Sequence, residues 1–385
     1  AEYTPAAPEP IPSRDRFTHA DLEAAAALIN GAKKPILYCG GGVAASGAGP
    51  LVKELMAKAG IPATYTMMAA GVLDYGDELN LGMLGMHGSF TTNKAVDEAD
   101  LILAVGTRFS DRVAMNAKTF AHNARKVQID IDASEINKNV TVDCSVVGDV
   151  SSALEELLPL IQPAQHPEWI EQLHRWQKVD YKPVDHDDRL MPHQVIGACC
   201  EMAGPEAVYV TDVGQHQMWA AQYVKHVKNR GFISSGGLGT MGFGYGAAIG
   251  AQLALGPSAR VIMMTGDASF HMNLNEACTA VSNQLPIITI IFNNQVLGMV
   301  RQWQTAFYEN RYSSTDPHRH TNFVKLAEGF GLKGYHCENL AQFKDAFAQA
   351  LTSKGPVWIE CMIDRDEKVL PMIPSGGSLE DMMMS

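Results

Sequence analysis

The chain has 385 residues, 46% of them hydrophobic, and a formal net charge of −12. That is enough apolar material for two or three domain cores, and the acidic balance argues against nucleic acid or an anionic membrane surface as the main partner. Seven cysteines at 39, 144, 199, 200, 278, 337 and 361 contain no C-x-x-C pair; they fit neither a disulfide framework nor a zinc site, and point to a reducing cytoplasm.

Residues 1–18, beginning "AEYTPAAPEP", are Pro-rich and aperiodic and read as a linker or arm, without the basic-then-apolar order of a signal peptide. No apolar run reaches about 18 residues, so no membrane span is expected. From Asp21 onward helix and strand alternate: a helix "DLEAAAALIN", a strand "KPILYC", a glycine turn, a helix "PLVKELMAKAG", then strands "PATYTM", "DLILAVG" and "KVQIDID". Strands apolar on both faces and separated by helices imply a parallel sheet covered on both sides. This first α/β domain is expected over 19–162. A polar, proline-bearing connector with a short helix follows over 163–190.

The alternation resumes over 191–365: helix "PHQVIGACCEMA", strand "AVYVTDVG", a Gly/Ala-rich helix "GYGAAIGAQLALG", strand "RVIMMTGD", helix "LNEACTAVSNQ" and strand "IITIIFNN". The helices "FVKLAEGFG" and "LAQFKDAFAQAL", the strand "PVWIECMI" and a tail over 366–385 complete the chain. The fold class expected is thus α/β, with two doubly wound parallel-sheet domains.

Two apolar strands in the second domain end in oxygen-bearing side chains, Asp267 and the Asn293–Asn294 pair. Ligands of open parallel sheets settle at the carboxyl ends of the strands, and a right-handed crossover places two such ends side by side. A carboxylate and an amide carbonyl are hard ligands suited to Mg²⁺, which completes its octahedron with water and phosphate oxygens. The same residue types also allow a plainer reading, in which Asp267 caps the next helix and the asparagines make a turn. In the first domain, Gly40-x-Gly42-x-x-Ala45 after a strand matches the relaxed dinucleotide fingerprint, but no acidic residue stands at a strand end about 20 residues on, which argues against a free NAD site.

Gly-Asp-x-Ser, with the second Asn of Asn-Asn 27 residues after the Asp, resembles the metal–diphosphate signature of thiamine diphosphate enzymes, with Ala268 where the signature carries its third residue, glycine. "TDVGQHQMWAAQ", "SSGGLGTMGFGYGAAIGA", "NNQVLGMVRQWQ" and "VLPMIPSGG" together resemble the catalytic subunit of the acetohydroxyacid (acetolactate) synthases over essentially the whole chain. The resemblance implies Mg²⁺ held by Asp267, Asn294 and the carbonyl of Val296. It implies diphosphate contacts from Gly214, Gln215, His216, Gly266, Ala268 and Ser269, with Met299 at the cofactor. Met241 would support the bent cofactor, and Trp303 would line the pocket for the second substrate. Singly, His216 reads equally as a helix cap, Met241 as core and Trp303 as an ordinary buried aromatic.

"MLGMHG", "GTRFSDRV", "IDIDASEI" and "VGDV" resemble FAD-binding stretches of the biosynthetic branch. That implies FAD contacts from Gly40, Gly41, Thr66 and Met67, from Leu84, Gly85, Met86 and His87, and from Gly106, Thr107 and Arg108. Asp130 and Asp149 would accept hydrogen bonds from the ribose and adenine, with Ile131 and Val150 also at the cofactor; a solvated loop of mixed charge is the plainer reading of "RFSDR". The implied reaction is decarboxylation of pyruvate and ligation of the remaining two-carbon unit to a second 2-oxoacid, giving acetolactate or acetohydroxybutyrate for branched-chain amino acid biosynthesis, with FAD structural. Members also carry an N-terminal aminopyrimidine-binding domain that provides a catalytic glutamate, and this chain is expected to begin at the linker after it and to be impaired alone. A homodimer or higher oligomer, a regulatory subunit and a separately supplied aminopyrimidine domain are the expected partners. Two other functions remain open: a different thiamine diphosphate 2-oxoacid decarboxylase or oxidase, and a non-catalytic cofactor-binding module.

Overall fold

The computed structural model describes residues 15–186, 188–225 and 229–385. Residues 1–14 of the arm lie outside them; its last residues run beside the first sheet, where the Arg16 amide donates to the Val147 carbonyl at 2.8 Å. The described chain folds as two parallel sheets of six strands.

The first sheet contains β1 (Pro35–Cys39), β2 (Ala63–Tyr65), β3 (Asn80–Met83), β4 (Leu101–Val105), β5 (Arg125–Asp130) and β6 (Cys144–Val147), in the order β3-β2-β1-β4-β5-β6. Successive side chains of its strands enter opposite cores. Leu37, Leu103, Val105 and Ile129 pack on one face, Ile36, Tyr38, Ile102 and Ala104 on the other. Both faces are therefore dry, which explains the unbroken apolar runs. The first helix, His19–Gly31, starts at a Thr18 cap in which Thr18 and Asp21 exchange side-chain-to-backbone bonds. The helix Pro167–Gln177, within the stretch read as a connector, buries Trp169 and Leu173 in the second of these cores, and the Trp169 indole donates to the Pro35 carbonyl at 3.2 Å. Its apolar face makes it a covering layer of the first sheet.

The second sheet contains β7 (Val208–Thr211), β8 (Phe232–Ile233), β9 (Val261–Gly266), β10 (Ile288–Asn293), β11 (Lys333–Cys337) and β12 (Val357–Met362), ordered β11-β12-β10-β9-β7-β8. Ile262, Met264, Ile290 and Phe292 enter one core; Val261, Met263, Ile291 and Trp358 enter the other. Full burial of each such side chain stabilises the fold by about 1.5–3 kcal/mol before entropy is counted. Strand order reverses between β1 and β4 in the first sheet and between β7 and β9 in the second, which places a crevice at the carboxyl ends of each pair.

The tail ties the units together. The Gln222 amide donates to the carbonyls of His87, at 3.0 Å, and Leu370, at 3.1 Å, and the Ile373 amide donates to the Met86 carbonyl at 2.8 Å. Among the described residues no helix is long and apolar enough to cross a membrane.

Candidate functional site

The cleft of the second unit lies where β7, β9 and β10 end. Gly266 pairs with Phe292, so Asp267 and Asn294 emerge beside each other from adjacent strands. The Asp267 carboxylate is buried and accepts backbone N–H groups, that of Asn294 among them, which places the two loop ends in contact. Burial pushes its carboxyl up to about 6 despite these donors and the charge of Arg319. Such a carboxylate gains strongly from a cation.

A cavity of about 260 Å³ opens here, lined by Gly214, Gln215, His216, Met241, Gly266, Asp267, Ala268, Ser269, Asn294, Val296 and Met299. Glycine is required at its narrowest points. A Cβ on Gly266 would stand 2.9 Å from His216 Nδ1, and Gly214 holds a φ of 152°. His216 is buried, its Nε2 has no partner among the described residues, and burial pulls its imidazole down to about 4, so the ring is neutral near pH 7. A dry, unsatisfied donor or acceptor at a ligand cleft is costly unless a ligand completes it. Hard oxygens beside an unpaired imidazole fit a diphosphate–Mg²⁺ group. Among the described residues no three His, Cys, Asp or Glu side chains cluster as a self-sufficient metal cage, so the cation here would need ligand oxygens.

Asp212, which the sequence reading did not single out, braces this cleft. Its Oδ1 accepts from the amides of Val213 at 3.0 Å and Gly242 at 2.8 Å, and its Oδ2 from the Thr265 hydroxyl at 3.3 Å, which fixes the turn after Met241 against β7 and β9. Its position in "TDVG", at a strand end, was the available signal. Gln302 and Gly298 were also missed as site residues: Gln302 bonds the Gln215 amide, and Gly298 lies against Gln215 and Asn294. Trp303 is not among the cavity-lining residues; it is half-buried against Phe307, ring centroids 5.1 Å apart. Asp267 also borders a larger opening of about 610 Å³ that includes Arg319, His271, Asn293, His336 and Glu360.

In the first unit, the crevice between β1 and β4 is built on backbone contact. The Gly42 amide donates to the Gly106 carbonyl at 2.9 Å, and a Cβ on Gly42 would stand 2.6 Å from Gly106 Cα. Gly40 is equally enclosed, with Thr107 Cα at 2.6 Å from its missing Cβ. Thr66 Oγ1 at the end of β2 is buried without a partner among the described residues, and Arg108 is exposed beyond β4. Asp130 ends β5, buried, its carboxyl raised by that burial although it accepts the Asp132 amide at 3.0 Å. Asp149 caps the helix Val150–Leu157 through the amides of Ser151 and Ser152, and Ile131 is exposed. Leu84, Gly85, Met86 and His87 form the loop after β3. His87 meets the Pro371 carbonyl at 3.2 Å and faces the tail. Met67 lies against Gly236 of the second unit. A buried hydroxyl without a partner among the described residues, an exposed guanidinium and a glycine turn at the strand-order reversal suit a dinucleotide phosphate group.

The family described as "Thiamine pyrophosphate enzyme, central domain" matches residues 22–157, and "Thiamine pyrophosphate enzyme, C-terminal TPP binding domain" matches 212–361. The chain belongs to the thiamine pyrophosphate enzymes. Its first crevice falls in the central domain, and the oxygen-lined cleft in the TPP binding domain. It is homologous to acetolactate synthase large subunits: 42% identical over 367 residues to that of Porphyra purpurea, covering 93% of this chain and 62% of the relative. The mitochondrial acetolactate synthase catalytic subunit of Saccharomyces cerevisiae is 41% identical over 386 residues, with 96% and 56% covered. Acetolactate synthase isozyme 2 large subunit of Escherichia coli is 40% identical over 371 residues, with 95% and 66% covered. The chain thus spans roughly 56–66% of these relatives.

Proposed function

We propose that this chain forms the diphosphate- and metal-holding part of a thiamine diphosphate carboligase that condenses pyruvate with a second 2-oxoacid to acetolactate or acetohydroxybutyrate. The observation that carries the reading is the meeting of Asp267 and Asn294 at the ends of β9 and β10, over a cleft in which buried His216 Nε2 has no partner among the described residues. Asp267, the Asn294 side-chain carbonyl and the Val296 carbonyl would hold Mg²⁺. Gly214, Gln215, His216, Gly266, Ala268 and Ser269 would surround the diphosphate.

When bound, thiamine diphosphate supplies a nucleophilic carbon and an electron sink, and the chain's residues supply position and exclude water. Neutral His216 can donate to a phosphate oxygen without adding charge to the site. Met241 and Met299 give the cleft an adaptable apolar wall, and Trp303, on the same helix as Met299, is proposed to face the second substrate. Mg²⁺ needs ionised Asp267, whose carboxyl titrates near 6, so cation affinity should fall as pH drops through that value.

For the first unit, FAD is the proposed occupant, with a structural role. Gly40, Gly41, Gly106, Thr107 and Arg108 would meet its phosphates, and Asp130 and Asp149 its ribose and adenine. The proposed setting is a reducing cytoplasm, supported by seven unbonded cysteines. A homo-oligomer with a regulatory subunit is the proposed assembly, supported by the large-subunit names of the relatives. The testing experiment measures acetolactate from pyruvate with Mg²⁺ and thiamine diphosphate, for the chain alone and with an aminopyrimidine-binding domain of an acetolactate synthase added. Product in the second arm is expected. No product in either arm would contradict the assignment.

A further inference from the structure

Three side-chain amides run in series from the C-terminal tail to Asn294. Gln302 on the helix Gly298–Phe307 is buried, and main-chain groups of Val369 set its orientation. Its Oε1 accepts the Val369 N–H at 2.9 Å, and its Nε2 donates to the Val369 carbonyl at 3.1 Å. A backbone N–H can only donate and a backbone carbonyl only accept, so Gln302 cannot be reversed without two mismatched pairs. Its Oε1 then faces Gln215, whose Nε2 donates to it at 3.0 Å and to the Glu367 carbonyl at 2.8 Å. Gln215 Oε1 is left to accept from Asn294 Nδ2 at 3.1 Å. With its nitrogen committed, Asn294 must present its oxygen on the other side, where Oδ1 accepts the Val296 amide at 3.2 Å.

Gly298 shows how tightly the last link is held. A Cβ there would strike Gln215 Oε1 and stand 2.5 Å from Asn294 Nδ2, so the loop leaves no room for the two amides to turn past each other.

We propose that Gln302 is a positioning residue for the cation site: through Gln215 it fixes which end of the Asn294 amide faces the cation, and so couples the seating of the tail at Glu367–Val369 to metal binding. The proposal rests on the reading of Asn294 as a cation ligand. An asparagine turned the other way would offer an NH₂ group, which cannot ligate Mg²⁺. Outer-shell groups that orient metal ligands are worth about 10- to 100-fold in metal affinity.

The test titrates Mg²⁺ into the full chain with thiamine diphosphate and reads binding by calorimetry. Gln302→Met, of similar length, is expected to raise the half-saturating Mg²⁺ concentration about 10-fold. Gln302→Glu keeps acceptors for Gln215 and for the Val369 amide and, protonated by its burial, a donor for the Val369 carbonyl, and is expected to stay within about threefold of the parent. In an Asn294→Asp background either side-chain rotation presents oxygen, so adding Gln302→Met is expected to cost less than about twofold more. A residue that only supports the fold would cost the same in both backgrounds. Equal losses there, or a Gln302→Glu variant as weak as Gln302→Met, would overturn the relay. Wild-type binding in Asp267→Ala, or none in the parent, would instead contradict the cation site itself. Loss in Asp267→Ala with full affinity in Gln302→Met would overturn the relay alone.

Discussion

The two units share a six-stranded parallel sheet and a glycine-bearing crevice at the strand-order reversal, yet their glycines serve different ends. In the first, Gly40, Gly42 and Gly106 let one stretch of backbone lie on another. The polar side chains around them are mostly either exposed, as Arg108 is, or occupied by local structure, as Asp149 is in capping its helix. In the second, Gly266 and Gly298 make room for side chains, and the polar groups they admit include buried His216 and Gln215, the latter held by side-chain amides. A crevice of the first kind can accept a ligand whose charge stays near water. The second kind suits a concentrated charge, since burial raises the Asp267 carboxyl and a cation beside it would favour the ionised form.

The contrast breaks most sharply at the glycines. Gly298→Ala should weaken Mg²⁺-dependent thiamine diphosphate binding by about 100-fold, measured by calorimetry, because the added methyl occupies the space of the Gln215 and Asn294 amides. Gly42→Ala should instead lower stability by about 1–3 kcal/mol in denaturant unfolding, through overpacking against Gly106, and leave Mg²⁺ affinity in the second unit unchanged. Equal effects of both variants on Mg²⁺ affinity would erase the distinction.

His87, at the junction with the tail, sharpens it by pH. Burial pulls its imidazole from 6.5 down to about 4. The unfolded chain therefore takes up the proton first, and stability present above about 6.5 is lost as pH falls toward 4. His87→Asn retains a donor for the Pro371 carbonyl without titrating, so the fall in thermal midpoint over this window should shrink by a few degrees. Arg108→Ala, at an exposed position, should change no melting temperature and weaken FAD binding only about fivefold in a fluorescence titration.

Most of this architecture is legible in the sequence, and the exceptions have one physical cause. The inner strands β1, β2, β4, β5, β7, β9, β10 and β12 stand out as apolar runs because helices cover both their faces. The strands that sequence reading did not name, β3, β6, β8 and β11, are the four sheet edges. Each pairs on one side only; β11 reads Lys-Gly-Tyr-His-Cys and is buried at Cys337 alone. The cleft was legible because Asp267 and Asn294 end two such inner strands. Gln302 was not, since a glutamine within a helix declares nothing until the tail is seen to lie against it. The helix within 163–190 was foreseen, but its packing on the first sheet depends on Trp169 finding the Pro35 carbonyl, a contact 134 residues apart in sequence.

The central claim, that the ends of β9 and β10 hold a cation with its diphosphate, is tested most directly by titrating Mg²⁺ and thiamine diphosphate into the parent chain and into Asp267→Ala under identical conditions. The account expects saturable, Mg²⁺-dependent heat from the parent and none from the variant, with both folded by circular dichroism. Undiminished Mg²⁺-dependent binding by Asp267→Ala would contradict it.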